Sequence, residues 1–295
     1  MSKLNSKVNG LFDKITLVFL TITALLCIAP VINTVAISFS EQSKAAAGLV
    51  YFWPVDFSLS SYKKLLEDAR FFNAFLISVE RVILGGGLNL LLTIIMAYPL
   101  SKERKVFRAR NVYMWLIVFT MLFNGGLIPW YMTIRTVGLL DTIWALVLPG
   151  AVPVFNVILL MNFFRGVPKE LDESAVVDGA GPWCIIFKIY VPISLPAIAT
   201  VTLFSVVGHW NSYFDGLVLM NKPDNYPLQT YIQQLIVILN IQQIQDPEQL
   251  KSTLAVSNRT FNAAKIVVSM IPIMAVYPFL QKYFITGIVM GSVKG

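Results

Sequence analysis

Val167-Pro168-Lys169-Glu170-Leu171-Asp172-Glu173-Ser174-Ala175-Val176-Val177-Asp178-Gly179-Ala180-Gly181 lies between two long apolar runs and is not built as a plain connector. Its composition reads as a short capped helix. Pro168 suits a first turn, where a missing N–H costs no hydrogen bond. Glu170, Asp172 and Glu173 set carboxylates against the positive end of the helix dipole, and Gly179 and Gly181 can end the helix. Leu171 and Ala175 share one face at a spacing of four, and Gly179 continues the line. A second apolar run from Trp183 to Pro196 follows, in which Pro192 and Pro196 mark re-entry into the flanking segment.

The flanking runs are long enough to be membrane spans, and four more like them occur. Apolar segments of about 18 residues or more cover 15–38, 72–100, 112–134, 143–164, 195–220 and 263–285. They must be helices, because an unpaired backbone group in hydrocarbon costs several kcal/mol and no alternating barrel pattern is present. The expected class is therefore all-α, a polytopic membrane protein with six transmembrane helices. Composition agrees: of 295 residues, 56% are hydrophobic and 13% charged, against about a quarter charged in soluble domains, and mean hydropathy is +0.69. An ordinary soluble fold, collagen, disorder and a disulfide scaffold are excluded. Cys27 and Cys184 fall at different membrane levels, so a disulfide is not expected.

The net charge of +7 reads as orientation rather than nucleic-acid binding, since no basic helix or aromatic-basic interleaving accompanies it. Residues 101–111 hold Lys102, Arg104, Lys105, Arg108 and Arg110, whereas 135–142 holds only Arg135. The first loop therefore faces the cytoplasm. Both termini follow it inside: residues 1–14, with Lys3, Lys7 and Lys14, and the tail 286–295. The segments 39–71 and 221–262 fall outside, and 165–194 is cytoplasmic. A cleavable signal peptide is the rival reading of the N-terminus, but the apolar run is longer than a typical h-region. Tyr51-Phe52-Trp53-Pro54 suits the membrane interface. Gln229, Gln233, Gln234, Gln242, Gln243, Gln245 and Gln249 among isoleucines and leucines read as an amphipathic surface helix or as packing filler.

Glu173, Ala175, Asp178, Gly179, Ala180, Ile189 and Pro192 together resemble the EAA loop of permease subunits in binding-protein-dependent ABC importers. That pattern is Glu-Ala-Ala, three residues, Gly, nine residues, Ile, any residue, Leu, Pro, and the spacing here matches throughout; Ser174 and Val191 are modest departures. Asn124-Gly125-Gly126-Leu127-Ile128-Pro129, the run from Gly138-Leu139-Leu140-Asp141-Thr142 to Leu148-Pro149-Gly150, Trp210-Asn211 and Tyr226-Pro227-Leu228-Gln229 are similar to the carbohydrate branch serving oligosaccharides and plant-polysaccharide fragments. The resemblance implies a type I importer permease over 72–285 in a bacterial inner (cytoplasmic) membrane. It further implies a second, usually different, permease subunit, two ATPase subunits carrying ATP and Mg, and an extracytoplasmic sugar-binding protein delivering oligosaccharide. Glu170, Glu173, Ala175, Asp178, Gly179 and Ala180 would then dock into a cleft on the ATPase, whose closure moves this helix and switches the cavity between inward and outward access.

No phosphate loop occurs, so this chain is not expected to be an enzyme or to hold a cofactor. Gly85-Gly86-Gly87 reads as a close helix contact instead. Intramembrane polar groups are the substrate-pathway candidates, because lipid burial of such groups is costly. His209-Trp210-Asn211-Ser212-Tyr213-Phe214-Asp215 sets aromatic rings, which stack on sugar CH faces, beside groups that bond hydroxyls. The alternative puts Trp210 and Tyr213 in an aromatic belt and His209 against a neighbouring helix. A lone histidine is a poor metal ligand, and no Cys/His spacing or catalytic triad is present. Glu80 and Arg81 point about 100° apart and cannot pair neatly with each other; a uronic acid is one partner for Arg81, and a salt bridge within or between subunits is the other. Asn124, Asn156 and Asn162 are weaker candidates. An ion-coupled secondary transporter or a non-transporting scaffold would also accommodate six spans, but neither explains residues 165–195.

Overall fold

A computed structural model of the chain describes residues 2–239 and 259–292. Every regular element among them is helical: α1 (Ser2–Ser38), α2 (Gln42–Ala46), α3 (Ser60–Leu66), α4 (Ala69–Ser101), α5 (Arg110–Leu122), α6 (Leu127–Thr136), α7 (Ile143–Val147), α8 (Val154–Phe164), α9 (Lys169–Val177), α10 (Pro182–Ile185), α11 (Val191–Ile193), α12 (Leu195–Asn211), α13 (Phe214–Leu219), α14 (Leu228–Leu239) and α15 (Arg259–Ser292). The expected all-α class holds. Gln242, Gln243, Gln245 and Gln249 lie outside the described residues.

The apolar parts of α1, α4 and α15, at Phe12–Ser38, Ala69–Ser101 and Arg259–Val276, are each long enough to cross a bilayer unbroken. Three further spans form only if bent helix pairs are counted as one each, giving up to six. The expected continuous helix at 112–134 is such a pair: α5 and α6 meet at 112°. At about 20 Å, the 13 residues of α5 fall short of a hydrocarbon core about 30 Å thick. The break has a local cause. Gly126 sits at φ +91°, a conformation costly for any residue with a Cβ, and its N–H donates to Asn124 Oδ1 at 2.9 Å. The segment from Ile143 to Gly150 meets α8 at 46°, and the segment from Pro182 to Ile193 meets α12 at 88°, both at prolines that withhold a backbone donor.

The chain divides into two compact units. In the unit of residues 1–69 and 234–270, none of the apolar window of α1 is buried, but its C-terminal end packs Ala36 and Ile37 with Ala45, Val50 and Ala263. Ser61 Oγ donates to Thr260 at 2.8 Å, and the nearly buried Lys265 pairs with Asp68 at 2.6 Å.

In the unit of residues 70–233 and 271–295, α4, α8 and α12 share the main core, with Ile94, Ala97, Leu160, Phe164, Ala197 and Val201 among its buried residues. Lipid is as apolar as leucine, so close van der Waals packing rather than water exclusion holds such helices together. Gly85 shows the requirement: a Cβ there would lie 2.5 Å from the His209 ring. The expected close helix contact is thus made at Gly85. Gly86 would only touch Val206, at 3.8 Å, and a Cβ on Gly87 would meet nothing within 4 Å.

Candidate functional site

Arg81, Gly85 and Asn89 recur every four residues along α4 and so line one face, and Ser205 and His209 do the same on α12. Just past the end of α12 the backbone turns extended at Ser212 and restarts at α13. That restart carries Asp215 into the first turn of α13, facing Arg81.

Arg81 and Asp215 form a two-pronged ion pair. Arg81 Nη2 donates to Asp215 Oδ2, and Nη1 donates to Asp215 Oδ1 at 3.1 Å and to the Ser212 carbonyl at 3.3 Å. Arg81 Nε donates to His209 Nδ1 at 3.4 Å. With Nδ1 accepting, His209 Nε2 donates to the Asn89 amide oxygen at 3.1 Å once that amide is oriented to its surroundings. In the same orientation the Asn89 nitrogen donates to the carbonyls of Gly85, Gly150 and Ala151. Asp215 Oδ1 also accepts from Ser212 Oγ at 2.8 Å and from the Gly216 N–H at 2.9 Å. Such mutual satisfaction makes a charge with only 3% of its side chain exposed tolerable inside a membrane protein.

These groups border a cavity of about 470 Å³ that Asn156, Ser205, Trp130 and Phe204 also line. Of the sequence candidates, His209, Asp215, Arg81 and the weaker candidate Asn156 reach it together, whereas Trp210, Asn211, Tyr213 and Glu80 are not among its lining residues. Trp210 is 4% exposed and meets Phe75 edge-on at 5.6 Å. Tyr213 and Asn211 are exposed. Glu80 borders a separate cavity of about 220 Å³ with Asp141 and Asn225. Of the two partners open to Arg81, a substrate uronate or a group within the protein, the structure shows the second, Asp215. Asn89 has no place in the sequence reading, although its four-residue spacing from Gly85 and Arg81 marks it; Ser212 belongs to the cluster quoted there. Asn124 lies in the α5–α6 break and Asn162 is exposed.

Asp141, at φ +62°, organises the loop before α7. Burial pushes its carboxyl up, but hydrogen bonds from Asn225 Nδ2 and from the N–H groups of Lys222 and Asn221 outweigh this and hold it below the usual carboxylate range.

The second candidate region is α9. Its C-terminus has two nested bonds, Ala180 N–H to the Ala175 carbonyl at 2.9 Å and Gly179 N–H to the Val176 carbonyl at 3.0 Å, with Gly179 at φ +79°, the Schellman arrangement that favours glycine. Glu170, Glu173, Asp178 and Gly179 are exposed and Ala180 is half-buried. Ala175 departs from expectation: it is buried in this chain's own core, so its small side chain serves the close seating of α9 rather than an outside contact. Exposed instead are Val176, Val177 and Trp183, which the sequence reading did not single out. Cys27 and Cys184 are free thiols, and no cluster of three His, Cys, Asp or Glu suited to a metal occurs among the described residues.

A family model described as binding-protein-dependent transport system inner membrane component matches residues 74–290. The polygalacturonan/rhamnogalacturonan transport system permease protein YtcP of Bacillus subtilis (strain 168) is 39% identical over 287 residues, covering 97% of this chain and 99% of that protein. Protein LplC of the same organism is 36% identical over 299 residues, covering 99% and 97%. Among solved structures, a chain from a bacterial ABC transporter involved in the import of the acidic polysaccharide alginate superposes with a TM-score of 0.82 at 34% identity, covering 93% of this chain and 97% of that one.

Proposed function

The chain belongs to the family of binding-protein-dependent transport system inner membrane components, and from that premise we propose that it forms half of the translocation path of an ATP-driven oligosaccharide importer. It is a multi-pass protein of the bacterial cell membrane with the type I importer permease fold. One observation carries the functional reading: the likeness to permeases for polygalacturonan and rhamnogalacturonan, and to the alginate transporter, runs over nearly the whole chain. Acidic plant-polysaccharide fragments are therefore the cargo class to test first.

In this reading a second, different permease subunit completes the path, two ATPase subunits hydrolyse ATP, and an extracytoplasmic binding protein delivers the sugar. Both termini lie in the cytoplasm, and α9 docks on an ATPase through Glu170, Glu173, Asp178 and Gly179. Two global states with different access must interact differently with ATP and with sugar for the coupling to exist. Within this chain the 470 Å³ cavity is the segment of the path, and Arg81, already held by Asp215 on α13 and bonded to His209 on α12, sets the register of α4 against these two helices rather than presenting a free cation.

The test is mild-detergent co-purification from native membranes with mass spectrometry of partners, followed by ATPase and uptake assays with the binding protein added. Recovery of a phosphate-loop ATPase and a second permease supports the reading. Recovery of this chain alone, with uptake following an ion gradient, replaces it with secondary transport.

A further inference from the structure

The end of α4 opposite Arg81 carries an arrangement that the site above does not use. Lys102, the residue after Ser101 at the end of α4, extends its ammonium between two aromatic rings, 4.2 Å from the centroid of Tyr98 and 4.5 Å from that of Tyr190. It pairs with Asp172 on α9 and donates to the Tyr190 hydroxyl at 2.9 Å. That hydroxyl in turn donates to Asp172 Oδ2 at 3.0 Å. The rings themselves meet edge-on at 5.1 Å, and Phe164 of α8 closes on Tyr190 at 5.2 Å.

One cation thus joins three elements: α4, α9, and the widened turn Ile186–Tyr190 that precedes Pro192. In that turn the Val191 N–H reaches back five residues to the Ile186 carbonyl, a geometry that often marks functional positions in helices. Lys102 is only 13% exposed, so its charge is held by rings, carboxylate and hydroxyl rather than by water. Asp172 depends on it equally, because its Oδ1 is buried with no partner. Around the exposed rim, by contrast, α9 carries a pair between Lys169 and Glu103, of the solvent-screened kind.

We infer that Lys102 is a positioning residue that ties α9 to α4, so that a displacement of α9 is delivered along α4 to the cluster of Arg81, His209 and Asp215. α4 is one continuous helix, and about 30 Å separate Arg81 from Lys102 at 1.5 Å per residue. The transmission role rests on the importer reading; the tie itself does not.

The test uses the assembled complex and three variants: Lys102→Arg, Lys102→Met, and the double variant Lys102→Met with Asp172→Leu. The double variant removes both charges, and replacing a pair by apolar groups of similar size is commonly tolerated, so it separates loss of the tie from failure to fold. Two readouts are taken. Hydrogen exchange of the amides of 171–178 in detergent should run about tenfold faster in the double variant, with α8 unchanged. ATP hydrolysed per sugar imported should rise about fivefold or more, the scale of a modest coupling between sites, while Lys102→Arg stays close to wild type. Unchanged exchange overturns the tie. Faster exchange with an unchanged ATP-to-sugar ratio overturns the transmission role alone. Absence of ATP-driven uptake in the wild-type complex refutes the importer reading, and the transmission role falls with it.

Discussion

Replacing Asp215 by Leu removes both prongs of the pair with Arg81 and the acceptor used by Ser212 Oγ and the Gly216 N–H. The guanidinium, 3% exposed, keeps only the Ser212 carbonyl and His209 Nδ1 as partners. Breaking a buried pair from one side costs about 3–5 kcal/mol. Asp215 opens partly on the cavity, with 19% of its side chain exposed, so the lower figure applies: about 3 kcal/mol, or roughly two decades in the unfolding constant. The double variant Arg81→Leu with Asp215→Leu should recover most of that loss, since no charge is left unpaired. The assay is a double-mutant cycle on unfolding of the purified chain in mixed micelles. Additive single effects, within about 0.5 kcal/mol, would refute the reading, because independent sites add and a coupled pair does not.

Gly85→Ala drives a Cβ to 2.5 Å from the His209 ring; overpacking of this kind costs about 1–3 kcal/mol, and the loss should show as a lower thermal midpoint that His209→Ala partly reverses. Gly179→Asp places a Cβ where φ is +79° and adds a charge on the exposed end of α9, so membrane insertion should persist while uptake is lost; normal uptake at normal expression counts against α9 docking. Trp210→Ala empties a buried site against Phe75, so stability should fall by about 3–5 kcal/mol while the sugar concentration giving half-maximal uptake stays unchanged in protein that survives. Asp141 contributes stability that is complete above the ordinary carboxylate pKa and is lost as pH falls through its lowered value. Exchange of the Asn221 and Lys222 amides should therefore accelerate only in acid, and Asp141→Ala should remove that pH dependence.

Much of the fold was legible because its causes are local. Run length and the rule that backbone must be satisfied in lipid made the class all-α. Pro168, the acids of the first turn and Gly179 pointed to a short helix over about 170–180, which the structure shows at Lys169–Val177 with Pro168 at the N-cap rather than in the first turn, and the EAA-like spacing pointed to the family whose model matches residues 74–290. The break between α5 and α6 was written in Asn124-Gly125-Gly126, but reading the run by hydropathy alone passed over it.

What the sequence determined by itself was the helical class, the run lengths and the family. Tertiary structure alone decided which faces meet: that Arg81 finds Asp215, 134 residues away, that Lys102 finds Asp172, 70 residues away, and that Ala175 and Trp210 turn inward. The reason lies in the solvent. In water an apolar stripe marks the face a helix will bury, but lipid is as apolar as the interior, so hydropathy does not tell a packed face from a lipid-facing one. Only the register fixed by close contacts such as Gly85 against His209 reveals which polar side chains share a level.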